Sequence, residues 1–130
     1  MAENKEKNFV SAVVYLRDQQ EMVQDFFEKL NRQLSAHFEH YELIAVNDGC
    51  IDETVVRLKK WAKNTLAAPL TIINMSLRQG LEPAMNAGLD AAIGDFLYEF
   101  DSMEIYYQED VIWQAYQKAL NGFDVVNVCP

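Results

Sequence analysis

The stretch Leu43-Ile-Ala-Val-Asn-Asp-Gly-Cys-Ile-Asp-Glu-Thr54 changes abruptly from an apolar run to polar residues and a glycine. A buried parallel strand that ends in a loop has this pattern, and open α/β sheets bind ligands at the carboxyl ends of such strands. Asp48 is therefore expected at this edge of a sheet, with its carboxylate free to accept hydrogen bonds. A second acidic strand end follows where the apolar run Phe96–Phe100 meets Asp101.

Strand and helix patterns alternate along the rest of the chain, with short connections between them. Strands are predicted over Phe9–Leu16, Tyr41–Val46, Leu70–Met75, Phe96–Phe100 and Asp124–Val128. Helices are predicted over Gln19–Ala36, from an N-cap at Asp52 to Leu66, from Gly80 and Pro83 to a C′ residue at Gly94, and over Glu109–Leu120. Such alternation is typical of parallel βαβ units with right-handed crossovers. The predicted fold is an α/β three-layer sandwich whose mostly parallel sheet carries helices on both faces.

Apolar residues at helical spacing predict which helix faces are buried. In the first helix they are Val23, Phe26, Phe27, Leu30 and Leu34, and in the second Val55, Leu58, Ala62 and Leu66. Trp61 is interpreted as a helix-packing residue rather than a platform for a sugar. Gly88 lies inside a helix pattern, where it is a poor helix former, and we expect it to permit close packing on the sheet.

Composition narrows the function classes. The chain has 130 residues, half of them hydrophobic, which suffices for one domain over 9–130 after a polar, disordered tail at 1–8. That tail does not resemble a signal peptide, and no apolar run approaches the roughly 18 residues of a membrane span. The formal net charge of −9 argues against nucleic acid and anionic membranes as partners.

Cysteine and histidine positions argue against two kinds of site. Cys50 and Cys129 are not in metal-ligand spacing, and with no export signal they indicate a reducing cytoplasm. Cys50 has no basic or histidine neighbour in sequence that would lower its pKa, which favours a structural role. His37 and His40 lie together in one apparent loop. A histidine-based triad or zinc site is therefore not expected.

Three candidate positions, Asp48, Asp101 and the pair Arg78 and Gly80, each have two interpretations. Asp48 is either a turn residue beside Gly49, the commoner case, or an acceptor for a ring N–H of a nucleotide base. Asp101 is either a cap or turn residue or a ligand of a hard cation, although a single carboxylate makes a poor cation site. Arg78 and Gly80 either bind an anion at a helix start or are an ordinary surface arginine and loop glycine.

Four segments carry a resemblance to a known family. They are Ser11–Glu21, Val46–Thr54, Gly80–Asp95 and Phe123–Val126. Together they resemble the amino-terminal half of a family 2 glycosyltransferase with the Rossmann-like GT-A fold. They are most similar to polyprenyl-phosphate hexose transferases, such as relatives of dolichol-phosphate mannose synthase. The likeness runs from about Phe9 to the end of the chain.

The resemblance implies a site for a nucleotide-diphospho-sugar donor. The position of Asp48 would hold the base, and Asp18 and the backbone of Leu16 would line the same pocket. Arg78 would lie near the donor's anionic part. Asp101 would face the ribose or a diphosphate bridged by Mn²⁺ or Mg²⁺, which makes it the expected metal ligand.

Departures from the family pattern weaken the expected activity. Met103 replaces the second aspartate of the Asp-x-Asp metal motif, and Asn47 replaces the first aspartate before Asp48. Tyr15 stands where the family has a loop proline, and Arg17-Asp18-Gln19 replaces Tyr-Asn-Glu. The carboxyl-terminal half, which carries the acceptor site and the catalytic base in the family, lies outside this chain.

These observations lead to one principal hypothesis and two alternatives. The chain is interpreted as a fragment of a larger glycosyltransferase that transfers a hexose to a lipid-phosphate or glycan acceptor, as in cell-envelope polysaccharide synthesis. The isolated chain is expected to be inactive and to self-associate. It is expected in the cytoplasm, at the inner face of the membrane only through parts not in this chain. The alternatives are a degenerate module that binds a nucleotide or a protein without turnover, and an unrelated receiver-like or flavodoxin-like domain.

Overall fold

The computed structural model describes residues 7–75, 79–100 and 125–128. Its strands are β1 (Val10–Leu16), β2 (Tyr41–Asn47), β3 (Leu70–Asn74), β4 (Phe96–Phe100) and β5 (Val125–Val128). Its helices are α1 (Val23–His37), α2 (Thr54–Thr65) and α3 (Leu81–Ala91). The predicted helix Glu109–Leu120 lies outside the described residues. All five predicted strands are confirmed, with ends shifted by one residue at most.

The strands form one sheet in the order β3-β2-β1-β4-β5, and each neighbouring pair is parallel. The central strand β1 pairs with β2 on one side and with β4 on the other. All seven of its residues are buried. A strand buried on both faces needs a continuous apolar run, and Val10–Leu16 supplies one.

Helices cover both faces of the sheet, which confirms the predicted three layers. Side chains of β1 alternate between the two faces, as in any strand. Val10, Ala12, Val14 and Leu16 pack in a cluster with buried residues of α1 and α2. Val13 and Tyr15 point to the other face and pack with Ala84 and Met85 of α3.

The buried face of α1 is the predicted one, but the helix begins four residues later than predicted. Val23, Phe26, Phe27, Leu30 and Leu34 are all buried. Residues 19–22 form a turn instead of helix, in which the carbonyl of Gln19 accepts the N–H of Met22 at 3.0 Å. The N–H of Gln19 donates to Thr54 Oγ1 at 2.8 Å, and the N–H of Gln20 donates to Asp52 Oδ2 at 3.2 Å.

The helix α2 begins at Thr54 rather than directly after Asp52. Asp52 still serves the helix start, since its Oδ1 accepts the backbone N–H of Thr54 at 2.9 Å. Trp61 is 4% exposed and lies in the cluster between α2 and α1. Its indole N–H donates to Glu28 Oε2 at 3.1 Å. The packing role predicted for Trp61 is therefore confirmed.

Two glycines permit close packing around α3. A Cβ added at Gly88 would lie 2.4 Å from Val13 Cγ1 and 2.8 Å from Val46 Cγ2, which confirms its predicted role against the sheet. The prediction for Gly94 is wrong, because α3 ends at Ala91. A Cβ at Gly94 would lie 2.8 Å from both Phe9 O and Ser11 N, so this glycine lets the segment after α3 lie against β1.

A buried polar network holds that segment at the amino edge of the sheet. The Ser11 hydroxyl donates to Glu42 Oε2 at 2.6 Å, and the backbone N–H of Ile93 donates to the same oxygen at 3.0 Å. The N–H of Gly94 donates to Ser11 Oγ at 2.8 Å. Ser11 and Glu42 are both buried. A buried carboxylate needs such donors to offset its lost hydration.

No helix in the described part of the chain is long and apolar enough to cross a membrane.

Candidate functional site at the carboxyl edge of the sheet

The sheet order places a topological switch point at β1. From β1 the chain builds outward to β2 and β3 on one side, and β4 and β5 lie on the other. In open parallel sheets, ligands bind in the crevice beyond the carboxyl ends of the strands at this point. Leu16 ends β1 here, and Asp101 follows β4 directly but lies outside the described residues. The candidate site is therefore the carboxyl edge around β1.

Asp48 lies at this edge, but its carboxylate is not free as expected. The residue is fully buried. The Tyr15 hydroxyl donates to Oδ2 at 2.6 Å, the N–H of Gly80 donates to Oδ2 at 2.9 Å, and the N–H of Gln79 donates to Oδ1 at 2.6 Å. These bonds tie β2 to β1 and to the segment that enters α3. The carboxylate is engaged within the protein because burial without donors would be costly.

The hydrogen bonds at Asp48 determine the protonation states of Asp48 and Tyr15. Burial disfavours the charged carboxylate, but the bonds from Tyr15, Gln79 and Gly80 and the nearby Arg17 charge outweigh it, so the pKa of Asp48 lies below 3.8. Burial and the bond to Asp48 raise the pKa of Tyr15 above 10.0. Asp48 is therefore an anion and Tyr15 a neutral hydroxyl donor at neutral pH.

The loops after β1 and β2 are joined by reciprocal hydrogen bonds. Asp18 Oδ1 accepts the N–H of Ile51 at 2.7 Å, and the N–H of Asp18 donates to the Cys50 sulfur at 3.4 Å. Gln20 Oε1 likewise accepts the N–H of Glu53 at 2.9 Å, and in the other direction the N–H of Gln19 donates to Thr54 Oγ1 at 2.8 Å. Asp18 has a positive φ of 44°, a conformation that aspartate adopts more readily than most residues. The structure thus places Asp18 beside the loop that carries Asp48.

Asp18, Cys50 and Asp52 could in principle hold a metal ion, since their ligand atoms lie within 4.8 Å of one another. Their hydrogen bonds do not favour this. Asp18 Oδ1 accepts a backbone N–H, and both oxygens of Asp52 accept bonds from Thr54 and Gln20. Burial and the two carboxylate charges raise the pKa of the Cys50 thiol, so the thiolate that binds metals is disfavoured. Cys50 behaves as the structural residue that its sequence neighbours indicated.

Two more polar side chains, Asn47 and Asn74, lie at the carboxyl edge of the sheet. Neither of them was predicted from sequence as a site residue. Asn74 ends β3 and is exposed, and its Oδ1 accepts a bond from Asn47 Nδ2 at 2.9 Å. Asn47 Oδ1 in turn accepts the N–H of Cys50 at 2.9 Å, which shapes the loop. Register could have identified Asn74, since it pairs with Asn47 across neighbouring strands.

The other predicted site residues lie in different surroundings. Leu16 is buried, and its carbonyl accepts the N–H of Asp48 at 3.3 Å. Arg78 and Asp101 lie outside the described residues, so their roles stay predictions. Arg17 is exposed, and its Nη1 donates to the Tyr15 hydroxyl at 3.5 Å. Arg17 is thus a positively charged side chain at the carboxyl edge of the sheet that was not predicted from sequence as part of the candidate site.

The sequence model described as "Glycosyl transferase family 2" matches residues 11–129. The chain belongs to glycosyltransferase family 2. This confirms the family expected from the four sequence segments and excludes the receiver and flavodoxin alternatives. The likeness to polyprenyl-phosphate hexose transferases within the family stays a prediction.

Curated relatives in family 2 are longer than this chain. It is 27% identical over 117 residues to the uncharacterized glycosyltransferase sll0501 of Synechocystis sp., covering 90% of this chain and 36% of that protein. It is also 27% identical over 117 residues to the uncharacterized glycosyltransferase YkcC of Bacillus subtilis, covering 89% and 35%. The chain thus spans about a third of the length of these relatives.

Solved structures show the same fold at low sequence identity. The mannosyltransferase PcManGT of Pyrobaculum calidifontis, in complex with GDP-Man and Mn²⁺, has a TM-score of 0.75 at 17% identity, over 92% of this chain and 34% of that one. Glucosyl-3-phosphoglycerate synthase of Mycobacterium tuberculosis, in complex with UDP, has a TM-score of 0.64 at 14% identity, over 88% and 41%. These similarities confirm the predicted GT-A fold.

Proposed function

We propose that this family 2 chain is the donor-binding half of a glycosyltransferase. In the full protein it would bind a nucleotide-diphospho-sugar whose hexose is transferred to a lipid-phosphate or glycan acceptor. The observation that carries this proposal is the switch point beside β1, with two hydrogen-bonded loops at its carboxyl edge. The complexes of similar fold named with GDP-Man and with UDP support it.

The joined loops would bind the donor with little reorganisation. Asp18 and Gln20 fix the loop after β2, and Thr54 and Asp52 fix the loop after β1. A site held in place before binding loses less conformational entropy when the ligand arrives. The base and ribose would lie against these loops, and Arg78 and Asp101 would face the diphosphate.

A divalent cation would bind through Asp101 and the donor's phosphates. A second cation at Asp18 and Asp52 would compete with the hydrogen bonds that their oxygens already accept. Met103 offers no oxygen ligand where a second carboxylate would complete the pair. We therefore propose weak binding of Mn²⁺ or Mg²⁺ that depends on the bound diphosphate.

The isolated chain would not transfer sugar. Transfer needs a base that removes the acceptor proton. Asp48 is buried, and both it and Asp18 are engaged by N–H or O–H donors. Neither is therefore available as that base. We propose that the base and the acceptor site lie in a partner segment that corresponds to the other two thirds of the curated relatives.

One observation favours a second candidate, a module that binds without turnover. The carboxylates of Asp18 and Asp48 accept hydrogen bonds from backbone N–H groups of the protein itself. Both residues therefore have a role in the fold that does not require contact with a substrate. Such a module would bind a nucleotide without needing a cation, or would bind only a protein.

Thermal unfolding with UDP, GDP and their sugar conjugates, each with and without Mn²⁺, tests both candidates. Ligand at about a hundred times its dissociation constant adds roughly 2.7 kcal/mol to the free energy of unfolding. A Mn²⁺-dependent increase that Asp101→Asn removes would support a donor site with a cation. The matched control is Asp90→Asn, which changes an exposed aspartate on α3. An increase in the free energy of unfolding without Mn²⁺ would support the module that binds without turnover. If no nucleotide increases it, both the donor site and the nucleotide-binding module are contradicted.

Location and assembly are part of the same proposal. We propose a cytoplasmic domain that contacts neither nucleic acid nor membrane itself, because its net charge of −9 repels both. We also propose that it self-associates when separated from its partner segment. Light scattering at high concentration tests this, and a monomer would contradict it.

A further inference from the structure

The Tyr15 hydroxyl donates to Asp48, the residue to which the family resemblance assigns the nucleotide base. Tyr15 is 6% exposed and packs on the α3 side of the sheet. Its hydroxyl lies 2.6 Å from Asp48 Oδ2 and 3.5 Å from Nη1 of the exposed Arg17. The hydroxyl thus lies between the buried carboxylate and a side chain that reaches solvent.

Nucleotide bases differ in the group they would offer to this carboxylate. Uracil and guanine carry a ring N–H, whereas cytosine and adenine carry an unprotonated ring nitrogen at the corresponding position. A carboxylate that accepts a ring N–H therefore favours uracil and guanine. It disfavours cytosine and adenine, because it then faces another acceptor.

We propose that Tyr15 controls base selectivity in the donor site by suppressing it. Its hydroxyl takes the place at Asp48 that a ring N–H would take. The wild-type site then does not distinguish bases with a ring N–H from bases without one. This inference rests on the proposed function, since it concerns how that donor site reads the base.

Three contacts make displacement of Tyr15 by a base unfavourable. An O–H donor bound to a carboxylate at 2.6 Å is a charge-assisted hydrogen bond, which is stronger than a neutral one. The same carboxylate holds the N–H groups of Gln79 and Gly80, so a shift toward a ligand would also disturb the start of α3. Asp48 therefore acts as a positioning residue, which places the entry of α3 without touching the base.

Base selectivity of the wild-type chain is the first measurement. Isothermal titration with UDP, CDP, GDP and ADP gives two affinity ratios, UDP to CDP and GDP to ADP. We expect both ratios to lie within about twofold, since no base is read at Asp48. A preference of about tenfold for UDP and GDP would show that Asp48 accepts a ring N–H, and would overturn the inference.

Two variants then remove the competing donor. Tyr15→Phe removes the oxygen alone, and Tyr15→Ala also clears the space of the ring. We expect the UDP to CDP and GDP to ADP ratios to rise by about tenfold in at least one of them, because a ring N–H can then bond to the ionised Asp48. The control is Tyr41→Phe, which removes a hydroxyl bonded to Asn31 at the start of β2, the opposite end of that strand from Asp48.

The outcomes separate the two proposals. Binding with unchanged ratios in both Tyr15 variants would overturn the role of Tyr15 and leave the donor site intact. Absence of binding by the wild type and every variant would overturn the proposed donor site, and the selectivity role with it. The wild-type ratios decide the inference even where a Tyr15 variant does not fold.

Discussion

The two ends of α3 are anchored in the same way at opposite edges of the sheet. At the carboxyl edge, Asp48 of the loop after β2 accepts bonds from Tyr15 of β1 and from the N–H groups of Gln79 and Gly80 before α3. At the amino edge, Glu42 of β2 accepts bonds from Ser11 of β1 and from Ile93 after α3. Each carboxylate joins a strand side chain to the backbone beside a helix end.

The difference lies in what surrounds each carboxylate. Exposed polar side chains lie at the same edge of the sheet as Asp48, namely Arg17, Asp18 and Asn74. Around Glu42, the close approach of Gly94 to Ser11 and Phe9 leaves no room for a Cβ. A buried acidic residue at a strand end is therefore not enough to mark a site in this fold. The exposed groups at the switch point mark it instead.

The largest effect is expected from Asp48→Ala. The substitution leaves the Tyr15 hydroxyl and two backbone N–H groups without their charged acceptor, and we expect a loss of about 4 kcal/mol in the free energy of unfolding. Urea denaturation measures it, with the exposed Asp25→Ala on α1 as control. A loss as small as the control's would mean that Asp48 does not anchor α3, which would break the comparison between the two edges.

A somewhat smaller loss is expected from Gly94→Ala at the amino edge. The new Cβ would lie 2.6 Å from Ser11 Oγ and 2.8 Å from the backbone atoms Phe9 O and Ser11 N, which cannot move without disturbing the start of β1. Forcing an atom into such packing costs about 3 kcal/mol. Ile93→Ala is the matched control, because its side chain is 72% exposed on the same segment. Equal urea midpoints for the two variants would contradict the closed packing.

Glu42→Ala is expected to cost less than Asp48→Ala, about 2 kcal/mol, because fewer donors lose their acceptor. The Ser11 hydroxyl keeps the N–H of Gly94 as a partner through its own oxygen. Urea denaturation of Ser11→Ala, Glu42→Ala and the double variant would show whether the pair acts as a unit, since coupled residues give less than additive losses. A Glu42→Ala loss larger than that of Asp48→Ala would reverse the comparison.

The smallest expected effect is the pH dependence of the stability that Asp48 contributes at the carboxyl edge. The folded pKa of Asp48 lies below its ordinary 3.8, so its ionised form stabilises the fold fully above that value. This contribution is lost as pH falls through the folded pKa. The stability difference between wild type and Asp48→Asn should therefore be constant from about pH 7 to about pH 5 and shrink below about pH 4. A difference that stays unchanged at low pH would contradict it.

The fold was predictable because its elements have regular patterns. The apolar runs of β1 and β2 and the 3.6-residue spacing of Val23, Phe26 and Phe27 each specify one kind of element. The start of α1 was not predictable from its own residues. The turn before it is bonded to Asp52 and Thr54, which lie more than thirty residues away and accept the N–H groups of Gln20 and Gln19.

The candidate site was only partly predictable for a similar reason. Sequence located the edge through Asp48 and placed Asp18 beside it, but not the state of the Asp48 carboxylate. That state depends on Tyr15 and on the Gly80 backbone, which meet it only in the folded chain. Glu42 was missed although a carboxylate within an apolar strand needs a donor, which is the signal that could have identified it.

The reciprocal bonding of the loops after β1 and β2 has a consequence for loop grafting. Asp18 Oδ1 accepts the backbone N–H of Ile51, and Thr54 Oγ1 accepts the backbone N–H of Gln19, so each loop contains acceptors for the other. A loop transplanted alone from a relative would arrive without its counterpart. A graft should therefore move residues 17–22 and 48–54 together, as a single module.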